Sequence, residues 1–325
     1  MNFKSISYYT GFFCFPISIL AFINILYSSY FDFFLSIDSY FTTLLISLLI
    51  GSALVFFGRK SEKKINFIEQ LLLIVIVYFT VSILIAIPFY LSNYQVTFIN
   101  SIFEAISGIT GTGFSIFKNI KYLDPTLILW RSSSQWIGGL YFLFFLILIF
   151  SNKQFNYKIN DLSFSGDGSI NSENNIKNLL LRIFFIYSLL SFIIFLLLNI
   201  SDVRLFNSLN LSMSLVSTGG FIPTDALNSI IQSNFQKIVF IFSLIVSMLN
   251  FFLIINIFEN KITRDHKEDI YLIIFSVIFI LLIYFNNYDG LNLIISVLSS
   301  LSNSGLSLIN SDNNLSLYFI LLTII

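Results

Sequence analysis

Seven apolar runs, each long enough to cross a lipid bilayer, are the feature that most restricts this chain. A hydrocarbon core about 30 Å thick needs about 20 apolar helical residues. Runs of that kind lie near Tyr8 to Leu26, Tyr40 to Phe57, Leu71 to Tyr90, Leu127 to Phe150, Leu179 to Leu198, Ile238 to Phe258 and Ile270 to Phe285. An eighth begins near Leu315 and reaches Ile325. Composition agrees, with 56% hydrophobic and 10% charged residues in 325. A soluble domain carries about 25% charge, and forty Phe with sixteen Tyr would overfill any single soluble core. An all-α integral membrane protein is therefore expected.

The remaining composition narrows the chemistry. One cysteine, Cys14, and one histidine, His266, exclude a disulfide framework and a multi-histidine metal site. A net charge of zero gives no basic surface for nucleic acid. A membrane-embedded transferase would need paired carboxylates or histidines at the membrane face, and no such cluster occurs. No enzymatic activity, catalytic residue or cofactor is expected. The first run is too long for a signal peptide and lacks a small-residue cleavage pattern, so it is read as a retained helix.

Orientation follows from positive charge, which collects on the cytoplasmic side. With the N-terminus inside, twelve Lys and Arg fall in cytoplasmic segments. Only Lys118, Lys121, Arg204 and Lys237 fall outside, with Arg131 near the outer end of its span. A multi-pass protein of the cell inner membrane with a cytoplasmic N-terminus is expected. Ser151 to Asn178 is the one long polar stretch and reads as a cytoplasmic linker. Its Ser165-Gly166-Asp167-Gly168-Ser169 lacks the further carboxylates of a cation loop.

Three segments fit neither loop nor full span. Phe98 to Ile109 runs into Thr110-Gly111-Thr112-Gly113-Phe114. Leu205 to Leu215 runs into Ser217-Thr218-Gly219-Gly220-Phe221. Leu291 to Leu301 runs into Ser302-Asn303-Ser304-Gly305-Leu306. The order span, short helix, Gly/Ser/Thr stretch, span thus occurs three times. Non-helical backbone at membrane depth survives only where it is buried in protein or lines a water-filled path. Carbonyl groups on such a path can replace the hydration shell of a cation. Glycine permits the positive φ that aims successive carbonyls at one axis. The short helices bring their partially negative C-terminal ends toward the same place. A monovalent cation that sheds water easily suits this arrangement. Small residues also serve helix packing alone, and one such stretch by itself would read that way.

These residues resemble the Trk/Ktr/HKT superfamily of potassium transport proteins, closest to the membrane subunit of bacterial Trk systems. The resemblance is carried by Phe103 to Gly113, by Trp130, Arg131, Gln135, Trp136, Ile137, Gly138 and Gly139, and by Ser217 to Phe221 with Thr224 and Asp225. Ser302 to Ser307 match more loosely. The family arranges four span–half-helix–span repeats around one pseudo-symmetric cation pore, each giving one filter glycine. The resemblance places these glycines at Gly113, Gly220 and Gly305, and Gly113 argues for potassium over sodium. The filter set it implies is Thr110, Gly111, Thr112, Gly113, Thr218, Gly219, Gly220, Asn303, Ser304 and Gly305. The expected layout is two extra N-terminal helices in residues 1–64, repeat one in 65–153, a linker in 154–178, repeat two in 179–262 and repeat three in 263–325. Three of four repeats are then present, which raises the expectation of a C-terminally truncated chain that lacks the fourth repeat and is inactive in transport by itself. Potassium ion, a second copy of the chain and a cytoplasmic nucleotide-binding regulatory subunit are the partners the family implies.

Four further residues keep two readings each. Glu104 either bonds locally near the outer mouth or holds filter backbone and attracts cations. Arg131 either anchors at the outer interface or donates to carbonyls behind the filter. Asn250, in the middle of its run, either bonds a neighbouring helix or lines an inner cavity. Asp225 either concentrates cations or caps a turn next to Pro223. His266 reads as part of a solvated charged link.

Overall fold

The computed structural model describes residues 2–33, 37–61, 65–150, 173–258, 267–284 and 290–308. Among these the regular structure is helical throughout, with no strand. The eighth apolar run, His266 and the Gly-Asp-Gly of the linker lie outside the described residues. The chain divides into two compact units, Met1–Phe155 and Asn156–Ile325.

The first unit contains α1 (Phe3–Tyr30), α2 (Ile37–Gly58), α3 (Phe67–Tyr90), α4 (Phe98–Ile109) and α5 (Pro125–Phe150). Helices α1 and α2 pack backbone to backbone through glycines. A β-carbon on Gly11 would stand 2.6 Å from the Gly51 carbonyl oxygen. Helix α5 is tied to its neighbours by side chains that bury an apolar body and spend one polar atom. The Trp130 indole N–H donates to the Ile85 carbonyl of α3 (3.0 Å), and the Tyr141 hydroxyl donates to the Phe13 carbonyl of α1 (2.6 Å).

The second unit contains α6 (Glu173–Ile200), α7 (Leu205–Val216), α8 (Asn234–Met248), α9 (Phe251–Phe258), α10 (Lys267–Tyr284) and α11 (Gly290–Leu301). Leu211 and Leu215 of α7, Phe240 and Leu244 of α8, and Ile295 and Leu298 of α11 share one buried apolar cluster. Helices α7 and α11 are therefore joined by packing.

Among the described residues, five helices are long and apolar enough to cross a membrane: α1, α2, α3, α5 and the Lys177–Ile200 part of α6. Large apolar side chains such as Phe56, Phe79 and Phe185 point outward from them, as lipid requires. Two expectations need correction. The run Ile238 to Phe258 is not one span but α8 and α9, separated at Leu249 and Asn250. Leu249 is extended (φ −66°, ψ 149°), which ends α8. Helix α6 starts at Glu173, inside the stretch read as linker, because helical hydrogen bonds extend through polar residues as readily as apolar ones.

Candidate functional site: three capped half-helices

Helices α4, α7 and α11 have 12 residues each. At 1.5 Å per residue that is about 18 Å, too short to cross a bilayer. Thr97 starts α4, its hydroxyl accepting the Asn100 N–H at 3.4 Å. All three helices end in one hydrogen-bond pattern. After α4, Gly111 N–H donates to Gly108 O (3.1 Å) and Thr112 N–H to Ser107 O (3.0 Å). After α7, Thr218 N–H donates to Leu215 O (3.1 Å) and Gly219 N–H to Ser214 O (2.8 Å). After α11, Asn303 N–H donates to Ser300 O (3.1 Å) and Ser304 N–H to Ser299 O (3.0 Å). These are Schellman caps, in which a left-handed residue satisfies the orphan carbonyls of the last turn.

Backbone signs repeat with the bonds. The left-handed residues are Gly111 (φ 69°) and Gly113 (79°), Thr218 (53°) and Gly220 (78°), and Asn303 (56°) and Gly305 (65°). In each stretch they stand two apart, and the second is always glycine. The pattern uses Thr218 where glycine would be easier, since a β-branched residue is strained at positive φ. Open space surrounds the site where a β-carbon on Gly305 would lie. Thr110, Thr112, Asn303 and Gly305 are exposed, while Gly219 and Ser304 are buried.

Hydroxyls cluster on these caps. The Thr110 hydroxyl donates to Ile106 O (2.7 Å) and lies 2.6 Å from that of Thr112. The Thr218 hydroxyl donates to Ser217 O at 2.7 Å. Ser304 Oγ lies 3.0 Å from Ser302 Oγ and 3.2 Å from Ser299 Oγ.

Beside the first stretch sits a polar network that joins Glu104, Arg131 and Ser115. Arg131 Nε of α5 donates to Glu104 Oε1 of α4 at 2.8 Å, with both side chains buried. Glu104 Oε1 also accepts from Ser115 Oγ (3.0 Å), and Glu104 Oε2 accepts the Ile116 N–H (2.9 Å). Ser115 Oγ in turn accepts from Arg131 Nη2 (3.0 Å) and from the Phe117 N–H (3.1 Å). Ser107 Oγ donates to the Phe114 carbonyl at 2.5 Å. Arg131 is thus no interfacial anchor. It is sealed inside the first unit, and its bonds run to a carboxylate and a hydroxyl. The pairing was accessible from sequence, since a buried charge in a membrane protein needs an opposite partner. Ser115 carried no such signal.

Asp225 is exposed in the turn after the second stretch. There the Thr224 hydroxyl donates to Ala226 O at 2.9 Å. Asn250 lies in the break between α8 and α9. Its backbone N–H donates to Asp269 Oδ1 of α10 at 2.8 Å.

Comparison with known proteins agrees with this geometry. A model of the TrkH family, described as cation transport protein, matches residues 36–285. The uncharacterized cation transporter MJ1485 of Methanocaldococcus jannaschii is 27% identical over 240 residues, which are 73% of this chain and 50% of the relative. The chain spans half the length of that protein. The Trk system potassium uptake protein TrkG of Escherichia coli is 30% identical over 106 residues, 32% of this chain and 22% of TrkG. The crystal structure of the potassium transporter TrkH from Vibrio parahaemolyticus superposes with a TM-score of 0.76 at 18% identity, covering 94% of this chain and 66% of that one. The fold is the same.

Proposed function

The chain belongs to the TrkH family of cation transport proteins, and from that premise we propose that it conducts potassium as the membrane subunit of a Trk-type uptake system. The single observation that carries this reading is the threefold recurrence of a Schellman-capped half-helix followed by left-handed residues two apart. Alternating backbone sign turns successive peptide groups to one side, the geometry by which carbonyl oxygens replace an ion's water. Thr110, Gly111, Thr112 and Gly113 supply the first wall of the filter. Thr218, Gly219 and Gly220 supply the second, and Asn303, Ser304 and Gly305 the third. The glycine at Gly113 favours potassium over sodium. Asp225 adds negative charge at the outer side of the second wall, and Asn250 stands on the inner part of the same repeat.

The positive-charge asymmetry supports a cytoplasmic N-terminus in the inner membrane. Inward potassium movement is then driven by the membrane potential, worth about 2.3 kcal/mol per charge per 100 mV. Relatives named as Trk system potassium uptake proteins support action within such a system. A second copy of the chain and a cytoplasmic nucleotide-binding subunit are its partners in this reading. The activity is that of the whole protein, since the archaeal relative is twice as long as the part matched here.

The test is potassium flux into liposomes that contain the whole protein, with a potential imposed across them. Potassium influx well above sodium influx is expected. Absence of flux, or equal flux of both ions, overturns the reading.

A further inference from the structure

Aligning the repeats on their last left-handed glycine reveals a coordinated exchange. Three residues beyond Gly113 stands Ile116, whose N–H needs an acceptor and finds Glu104. Three residues beyond Gly220 stands Pro223, which has no N–H. Nine residues before Gly113 stands Glu104, and nine before Gly220 stands Leu211, fully buried. The first repeat thus has both amide and carboxylate and the second has neither, while the third has Leu308 and Ser296 at these positions. Ser115 is likewise replaced by Ile222. Leu211 lies in one apolar cluster with Phe240 and Leu244.

We propose that Glu104 and Arg131 are positioning residues for the first glycine stretch, holding it through the part-buried bond from the Ile116 amide to Glu104, and that Pro223 with Leu211 replaces this bond in the second repeat by removing both donor and acceptor. Burying an amide without an acceptor is costly, and burying a carboxylate without a cation is costlier. Glu104 offers Ile116 its acceptor, and the fully buried Glu104 calls for Arg131. Ser115 then accepts from both Arg131 Nη2 and the Phe117 amide, which links the three side chains to the turn. The segment it fixes begins three residues from Gly113. The first repeat is held by directional bonds and the second by packing. The further consequence, that loosening this brace degrades ion selection, rests on the transport reading.

The Glu104→Gln substitution separates the two. Glutamine offers one oxygen and one NH2, so a donor must face either Ile116 N–H or Arg131. In the full chain in detergent, hydrogen exchange at the Ile116 amide is expected to accelerate about tenfold or more, the scale of one charge-assisted hydrogen bond. The Leu127 amide, bonded to Asp124 O at 2.9 Å, serves as the unchanged reference. Exchange at Ile116 equal to wild type overturns the proposal. If Glu104→Gln does not fold, the second repeat decides. Pro223→Ala and Leu211→Gln should each lower the thermal midpoint, and the double variant should lose less than the two combined. Simple additivity overturns the proposal. In liposomes, Glu104→Gln should lower the potassium-to-sodium flux ratio. Faster exchange in a protein whose wild type carries no potassium leaves the brace intact and removes the transport reading. An unchanged flux ratio in a variant whose Ile116 amide does exchange faster removes the link to selection.

Discussion

Gly138 of α5 lies against the last residue of α4 so closely that a β-carbon on it would overlap the carbonyl oxygen of Ile109. The atom in the way is backbone, and it belongs to the turn that leads into the first glycine stretch. Side-chain adjustment cannot relieve such a contact. Gly138→Ala is expected to destabilise the protein by about 1–3 kcal/mol, the range for forced overpacking. Thermal unfolding in detergent measures it, and a midpoint equal to wild type would show that α4 and α5 stand farther apart.

The seam between α1 and α2 allows a comparison within one interface. A methyl on Gly11 would meet Gly51 O at 2.6 Å, while one on Gly51 would meet Phe15 Cε1 at 3.1 Å and Gly11 O at 3.2 Å. The first requires the helices to part, and the second requires a few tenths of an ångström. Gly11→Ala is expected to lower the thermal midpoint clearly, since the overlapping atom is backbone and cannot move aside. Gly51→Ala should lose less than half as much. Equal losses would contradict the asymmetry of the seam.

The three half-helices could be placed from sequence because their ends are local. Apolar residues run out, a Gly/Ser/Thr stretch follows, and the cap bonds span six residues or fewer. The sequence reading of Phe98–Ile109 coincides with α4, and those of the other two half-helices agree with α7 and α11 to within one residue at each end. Spans were longer than their apolar runs because hydropathy measures transfer energy and not hydrogen bonding. The break at Leu249 and Asn250 was invisible for the same reason, since the run is apolar on both sides. Its brace comes from Asp269, 19 residues onward in the chain. The partnership of Glu104 with Arg131, 27 residues apart, was likewise a long-range fact. Neither charge names its partner locally, and only burial at membrane depth requires the two together.

Asp269 makes the break in the second repeat testable. Its carboxylate is 3% exposed and accepts the Asn250 N–H at the break between α8 and α9. Asp269→Asn keeps an oxygen at that position, and Asp269→Ala removes it. The alanine variant is expected to lose about 1–3 kcal/mol, the scale of one hydrogen bond to a carboxylate. The asparagine variant should lose clearly less. Amide exchange at Asn250 reads the same event locally, faster in the alanine variant alone. Equal behaviour of the two would assign the break to local backbone preference.

Gly220 is left-handed at φ 78°. A serine there must adopt a conformation that costs an L-residue about 1–2 kcal/mol, or else turn its peptide group away. Gly220→Ser is therefore expected to weaken the preference for potassium over sodium in liposome flux. If the ratio is unchanged while the protein still conducts, Gly220 does not belong to the ion path.

Thr218 holds the same left-handed position that glycine holds at Gly111 and asparagine at Asn303, with φ 53°. Of these three residue types a β-branched one tolerates the conformation least. Strain of this kind persists where the surrounding structure over-determines it, and it amounts to about 1–3 kcal/mol. Here the constraint is visible. Ser217 is bonded back to Met213 O (N–H, 3.3 Å), Gly219 to Ser214 O (N–H, 2.8 Å), and the buried Phe221 follows. Thr218→Gly removes the β-carbon without removing any of these backbone bonds, losing only the hydroxyl contact to Ser217 O. The thermal midpoint is expected to rise, even though glycine also gains entropy in the unfolded chain, a term of about 0.4–1 kcal/mol that acts in the opposite direction. A fall in the midpoint would mean that the hydroxyl contributes more than the strain costs. A rise with an altered potassium-to-sodium ratio would show that the strained residue is kept for ion selection, at the expense of stability.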